Sequence, residues 1–383
     1  MSDALLTELD ELKQSRGPAA AIDRLIDSLT ERRQYDQLFD ALLLKKRFEM
    51  GLALVQPASS DNVPEGRLDE FEAAYVDAAR RVGRFYLEAG QIAQAWVYLR
   101  HIRETEPVRA ALDSIDPQQE AGEQTDELIN VALYEGAHPV KGLEIMLRVN
   151  GTCNTITALD QHIHQLSEED RRAAAALLVR ELYDDLCATV RSEVEQRVAA
   201  IPAGDDLRTL IAGRDWLFED GNYHIDVSHL NAVVRFARFL EADDAELDKA
   251  LQLCEYGCRL APQFQYPADP PFDEFYPAHR HYFQVLSGEG CDEGLAFFRE
   301  QIGEEPDEDD RPMIAYVLVD LLIRIDRLPD ALDVAREYLS DIDDPDGFSF
   351  SRLCETAGRL DALRDTARAK GDAVTYTAAL IQA

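Results

Sequence analysis

The stretch RRVGRFYLEAGQIAQAWVYLRHIRETEP, residues 80–107, carries the pattern that decides the fold. Its helical period spans 67–89 and 91–105, and the chain passes from one segment to the next through Gly90. Ala95 sits early in the second segment, where a small side chain lets two helices approach closely. Pro107 follows twelve positions later, past the point where the helix can continue. The same interval separates Ala250 from Pro262 and Gly294 from Pro306. A fourth stretch, around Ala331, has the helical pattern but meets its proline late, at Pro345.

Outward from this stretch the 3.6 period persists, and no run alternates as a strand would. Residues 3–15, 18–31 and 33–49 read as three helices with a break at Gly17-Pro18. A polar loop, Gln56 to Gly66, holds Pro57 and Pro64. Between 108 and 230 the repeat pattern lapses. Helices are expected there at 123–135, 139–149, 153–164, 168–199 and 205–218. Ser167 followed by Glu168, Glu169 and Asp170 supplies an N-cap and three acids for the long one, which Pro202 and Gly204 end. Residues 350–381 read as a closing helical pair.

Gly83, Tyr86, Gly90, Ala95 and Pro107 fall at the small, aromatic, turn and stop positions of a tetratricopeptide repeat, and the segment resembles that family. Ile102 departs from it, standing where the family prefers alanine. Weaker units keep Ala250, Gly257 and Pro262; Gly294, Phe298 and Pro306; and Leu318, Leu322 and Ala331. Arg238, Val319 and Tyr338 occupy positions where the family has small residues. The resemblance covers roughly a third of the chain. It implies an all-α fold: a right-handed, tetratricopeptide-like superhelix of stacked hairpins with an expanded non-repeat middle. The expected segments are 1–107, 108–228 and 229–383. By the repeat register, Arg80, Arg84, Arg235, His279, Phe283, Tyr316 and Asp320 would line the concave groove. Such a groove implies a scaffold that binds proteins or peptides.

The chain has 383 residues, 74 acidic against 39 basic, for a net charge of −35. That surface repels phosphate backbones and anionic membranes, which argues against nucleic-acid and membrane partners, and it accommodates basic ones. The opening MSDALLTELDELKQ is acidic where a signal peptide is basic and then apolar. The most apolar runs, 173–179 and 313–323, are too short to span a bilayer. The six cysteines form no CxxC pair. A cytoplasmic location is the expectation.

No catalytic signature stands. GEGCDEG, Gly288 to Gly294, follows a helical segment where a nucleotide site needs a strand. DIDDPDG, Asp341 to Gly347, has Pro345 at a calcium-ligand position and Arg352 where a glutamate is needed. Cys153, in GTCNTIT, could be activated at a helix N-terminus with His138 as its base, but packing as a small apolar residue is the simpler role. Seven of the eight histidines fall between 138 and 281. Two readings of them stand. They are dispersed structural and capping groups, or His138, His224, Asp226, His229 and His281 converge where the repeat breaks down. Converged, they would hold a divalent transition metal such as zinc, iron or manganese, in a metal-dependent enzyme or binding protein.

Overall fold

The structure, a computed structural model, describes residues 3–116, 122, 124–198, 204, 206–344 and 347–382. Pro202 and Pro345 lie outside them. The chain packs as two compact units, Met1–Thr155 and Ile156–Ala383, so the boundary falls inside the expected middle segment. The described residues are all-α. The nearest approach to a strand among them is an isolated bridge between Asp343 and Ser349.

The first unit holds α1 (Asp3–Arg16), α2 (Pro18–Glu31), α3 (Tyr35–Glu49), α4 (Leu68–Glu88), α5 (Ile92–Leu99), α6 (Glu106–Asp113), α7 (Thr125–Ile129) and the first part of α8 (Pro139–His162). Consecutive helices from α1 to α5 pack on one another. Between α4 and α5 the chain reverses at Gly90, whose φ is +72°, a left-handed conformation that glycine adopts without steric penalty. Gly83 lets the two helices close: a Cβ there would lie 2.6 Å from Leu99 Cγ. Ala95 and Leu99 are fully buried. After Leu99 the helix tightens into a 3-10 turn over Arg100–Ile102. Pro107 does not follow the helix as a stop; it sits in the first turn of α6, where its missing N–H costs nothing. Asp36 accepts hydrogen bonds from Tyr86 (2.6 Å) and Tyr98 (2.8 Å), tying α3 to this hairpin.

Residues 139–149 and 153–164 were expected as two helices. They are two helices within Pro139–His162, divided at Gly151, whose non-helical conformation (φ 79°, ψ 172°) a non-glycine residue would tolerate poorly.

The second unit contains α9 (Glu168–Arg197), α10 (Leu207–Ile211), α11 (Val227–Phe236), α12 (Leu247–Gly257), α13 (Phe275–Ser287), α14 (Cys291–Glu304), α15 (Arg311–Arg324), α16 (Leu328–Tyr338), α17 (Phe350–Thr356), α18 (Leu360–Lys370) and α19 (Ala373–Gln382). The Ser167 side chain caps α9 by accepting from Asp170 N at 3.0 Å. Leu178, Val179, Leu182, Leu186, Val190 and Val194 of α9 are buried, and α10, α11 and α12 pack along it. Each fully buried leucine or valine there contributes about 1.5–3 kcal/mol of transfer free energy. Small residues set the next approaches. A Cβ on Gly257 would lie 2.3 Å from the Tyr276 ring, and one on Gly294 would lie 2.8 Å from the His281 carbonyl oxygen. Ala250 and Ala331 are fully buried.

Two sequence-based boundaries change. The helix expected over 205–218 stops at Ile211, because the Arg214 guanidinium takes up the carbonyls of Thr209, Leu210 and Ala212 and Gly213 turns the chain at φ 67°. The closing pair is three helices, α17 to α19, divided by the positive-φ glycines Gly358 and Gly371.

Candidate functional site

The second unit contains a cavity of about 880 Å³, walled by the start of α9, the end of α11 with its 3-10 extension Ala237–Phe239, and α13 and α15. Five guanidiniums reach it: Arg171, Arg172, Arg235, Arg238 and Arg324. Their proximity follows from local structure. Arg171 and Arg172 lie in the first turns of α9. Arg235 and Arg238, three apart on a continuous helical path, share a face.

Most of these charges are engaged by the protein itself. Arg172 pairs with Asp243 (2.6 Å) and Asp244 (2.7 Å). Arg235 pairs with Asp160 at 2.8 Å. Arg324 is the deepest, with 12% of its side chain exposed. It donates to the backbone carbonyls of Arg238 and Leu240 and to the Tyr282 hydroxyl, and contacts Glu241 at 3.2 Å. It thereby satisfies carbonyls left open where the helical path from α11 ends. Tyr282 in turn donates to Asp320 at 3.2 Å. Burial pushes the Tyr282 hydroxyl well above its ordinary pKa, so it stays protonated and can keep that donor role.

Arg171 and Arg238 differ from these three. Arg171 donates to the Leu166 carbonyl at 3.0 Å and lies 5.9 Å from the Phe239 ring centroid. Arg238 stacks 4.8 Å from the Phe272 centroid. Neither guanidinium has a carboxylate partner among the described residues.

Arg235, Arg238 and Tyr316 also border a second, smaller recess of about 310 Å³, walled mainly by Pro270, Pro271, Phe272, Phe275, Met313 and Val317, with Asp269 and His279 also lining it. The two spaces therefore share one edge. Tyr316 is 47% exposed there and edge-on to Phe348 at 6.1 Å.

Among the residues expected in a groove, Arg235, Tyr316 and Asp320 line the large cavity. His279 and Phe283 are buried, at 1% and 0% exposure, so they are packing groups behind the surface. His279 lies between Phe272 and Phe275, each centroid 4.3 Å away, and its Nδ1–H donates to the Phe275 carbonyl at 2.8 Å. Burial first, then Arg238 and Arg235, lower its pKa to about 3. In the first unit Arg80 is paired with Asp77 (2.6 Å) and Glu104 (2.7 Å), and Arg84 borders a small depression with Arg81 and Phe85.

The residues considered as metal ligands have separate local roles. His138 Nε2 contacts Asp113 at 2.8 Å. The Asp226 carboxylate caps α11, accepting from Ser228 N at 2.8 Å and His229 N at 3.3 Å. His229 is half-buried in the first turn of that helix. His281 stacks on Phe297 at 4.6 Å. His224 comes nearest to an acid–base relay: Nδ1 lies 2.9 Å from the Tyr256 hydroxyl and Nε2 lies 2.9 Å from Glu193 Oε2. Its side chain is only 1% exposed, which closes it off from a substrate. Among the described residues no three His, Cys, Asp or Glu side chains are grouped to hold a metal. Cys153 is exposed in the second part of α8. Asp343 of the calcium-like loop accepts from Ser351 N (3.2 Å) and Oγ (2.9 Å) at the start of α17.

Sequence reasoning passed over Arg171, Arg238 and Arg324. The available signal was Arg238 itself, a long cation at a position where the repeat pattern wants a small residue. No helix among the described residues is long and apolar enough to cross a membrane. No protein-family model matches the chain, and no curated protein matches it in sequence.

Proposed function

We propose that the protein is a helical-repeat scaffold of the tetratricopeptide type, a right-handed superhelix that binds an extended peptide or partner-protein segment. The observation that carries this reading is the cavity of the second unit with its adjoining recess. Its walls come from α11, α13 and α15, the first helices of successive hairpins, with α9 facing them. Stacked hairpins commonly bind ligands on the surface formed by their first helices. Arginine and tyrosine beside an apolar recess are the residue types that anchor such contacts. A metal-dependent enzyme finds no three-ligand group among the described residues to support it.

Selection of a displayed random dodecapeptide library on the full-length protein tests this reading. The same selection on the Arg238→Glu/Tyr316→Ala double variant is its control. Sequences enriched on the wild type should be lost on the variant. Absence of any cavity-dependent enrichment overturns the proposal.

A further inference from the structure

The geometry points to an acidic ligand: we infer that the cavity takes a peptide whose carboxylate side chain sits on Arg238, within two positions of an apolar side chain seated in the adjoining recess. This rests on the peptide-binding reading above and names the chemistry it recognises.

The argument is a charge census. The whole chain is strongly acidic, with a net charge of −35, so its overall field favours basic partners. Locally five guanidiniums line the cavity, and what matters is which of them are left without a carboxylate. Glu241 and Asp320 both contact the single guanidinium of Arg324. Arg172 and Arg235 are neutralised by Asp243, Asp244 and Asp160. Glu168 and Glu169 are exposed on the first turn of α9, where the helix dipole already favours them. What remains are Arg171 and Arg238, two guanidiniums without carboxylate partners among the described residues; Asp269 lines the adjoining recess but forms no ion pair with Arg238.

A guanidinium offers five N–H donors in a planar fork that matches a carboxylate. In Arg238 that fork is stacked on Phe272, which fixes its plane without consuming its donors. Held by an aromatic face, it loses less side-chain freedom on binding than a solvated arginine would.

The shared edge sets the spacing. Arg238 and Tyr316 border both spaces, so an anion on Arg238 lies beside the mouth of the recess walled by Pro271, Phe272 and Val317. An extended chain advances about 3.3 Å per residue, so the acid and the apolar anchor must be near neighbours. A basic segment would instead place its cation against Arg238.

The library selection described above also tests this assignment, through the sequences it enriches. The expected winners carry aspartate or glutamate within two positions of an aromatic or aliphatic residue. For a synthetic winner, fluorescence anisotropy should show Kd rising about tenfold or more when its acid is changed to the amide, and equally with Arg238→Gln. Arg238→Lys should recover only part of the loss, with a Kd between those of the wild type and Arg238→Gln, since it retains the charge but neither the planar fork nor its stacking on Phe272. Lysine in place of the peptide's acid should restore binding to Arg238→Glu. Superimposable melting curves for the variants separate binding from folding. Cavity-dependent enrichment of neutral or basic sequences, or a Kd unchanged by Arg238→Gln, overturns the acidic assignment while the peptide-binding reading stands. Enrichment that does not depend on the cavity overturns that reading as well.

Discussion

Arg47 in the first unit and Arg238 in the second are arginines carried on apolar helices, and they use the same fork in opposite ways. Arg47 is 1% exposed and turns its donors onto the carbonyls of Ala53 (2.6 Å), Pro57 (3.1 Å) and Ser59, with its guanidinium 5.4 Å from the Phe71 centroid. It is the organiser of the polar loop between α3 and α4. Arg238 also rests on a phenylalanine, but its donors meet no carbonyl or carboxylate among the described residues. The difference is in what the surrounding chain offers. A loop folded back over Arg47 gives each nitrogen of its fork a carbonyl, and the charge becomes structural. A helical path that ends at an open cavity leaves Arg238 available.

The comparison breaks most readily on Arg47→Met. Methionine fills the volume but leaves three loop carbonyls without their charged donor. Hydrogen bonds to charged groups are individually worth about 1.5–3 kcal/mol, and water can replace some of them. We expect a loss of about 3 kcal/mol, read as a lowered urea midpoint for the first unit. A loss below about 1 kcal/mol would mean that the loop holds itself together without the arginine. Arg324→Met is the intermediate case. It removes donors from two carbonyls and from Tyr282, but the adjoining cavity admits water to the vacated positions. The expected loss is about 2 kcal/mol, smaller than for Arg47. If it proves the larger of the two, the cavity does not hydrate those carbonyls and the contrast between closed and open sites fails.

The helices were legible in the sequence and the site was not, for reasons that can be traced to residues. α2 occupies the expected 18–31 because Gly17-Pro18 sets a hard start, and α9 starts where Ser167 and three acids announce it. These are local signals, read within one turn. The long helix expected over 205–218 failed because Arg214 folds back on its own helix end, an interaction that no period encodes. His279 and Phe283 were assigned to a groove by register, yet Phe272, from the connection before α13, packs against His279. The cavity depends on side chains from Arg171 to Arg324, separated by most of the second unit, so no window of sequence contains it. Arg238 entered the sequence analysis only as a misfit. Its cost to the repeat pattern was the visible trace of the site.

His279 sharpens the contrast through pH. It lies buried near Arg235 and Arg238, and its folded pKa of about 3 falls below the ordinary 6.5. Between these values the unfolded chain binds a proton that the folded chain does not, so stability falls as pH drops below 6.5. The contribution is fully present near pH 7 and should decline by about 1 kcal/mol by pH 5.5. His279→Asn should remove that increment. The stability difference between pH 7 and pH 5.5 should then be smaller in the variant than in the wild type. An identical difference in both would mean that His279 is protonated in the folded protein, or neutral in both states.

The smallest effect expected is the most informative. Arg238→Gln deletes a cation stacked on Phe272 at a half-buried site, an interaction worth about 0.5 kcal/mol or slightly more when partly exposed. It leaves no carbonyl or carboxylate orphaned, because Arg238 satisfies none among the described residues. The denaturation midpoint should therefore move by no more than about 0.5 kcal/mol, against about 3 for Arg47→Met. A residue that contributes almost nothing to folding, is held in a fixed plane, and weakens peptide binding when removed is kept for its ligand. If Arg238→Gln instead destabilises by 2 kcal/mol or more, its guanidinium belongs to the framework as Arg47 does, and the two arginines are alike after all.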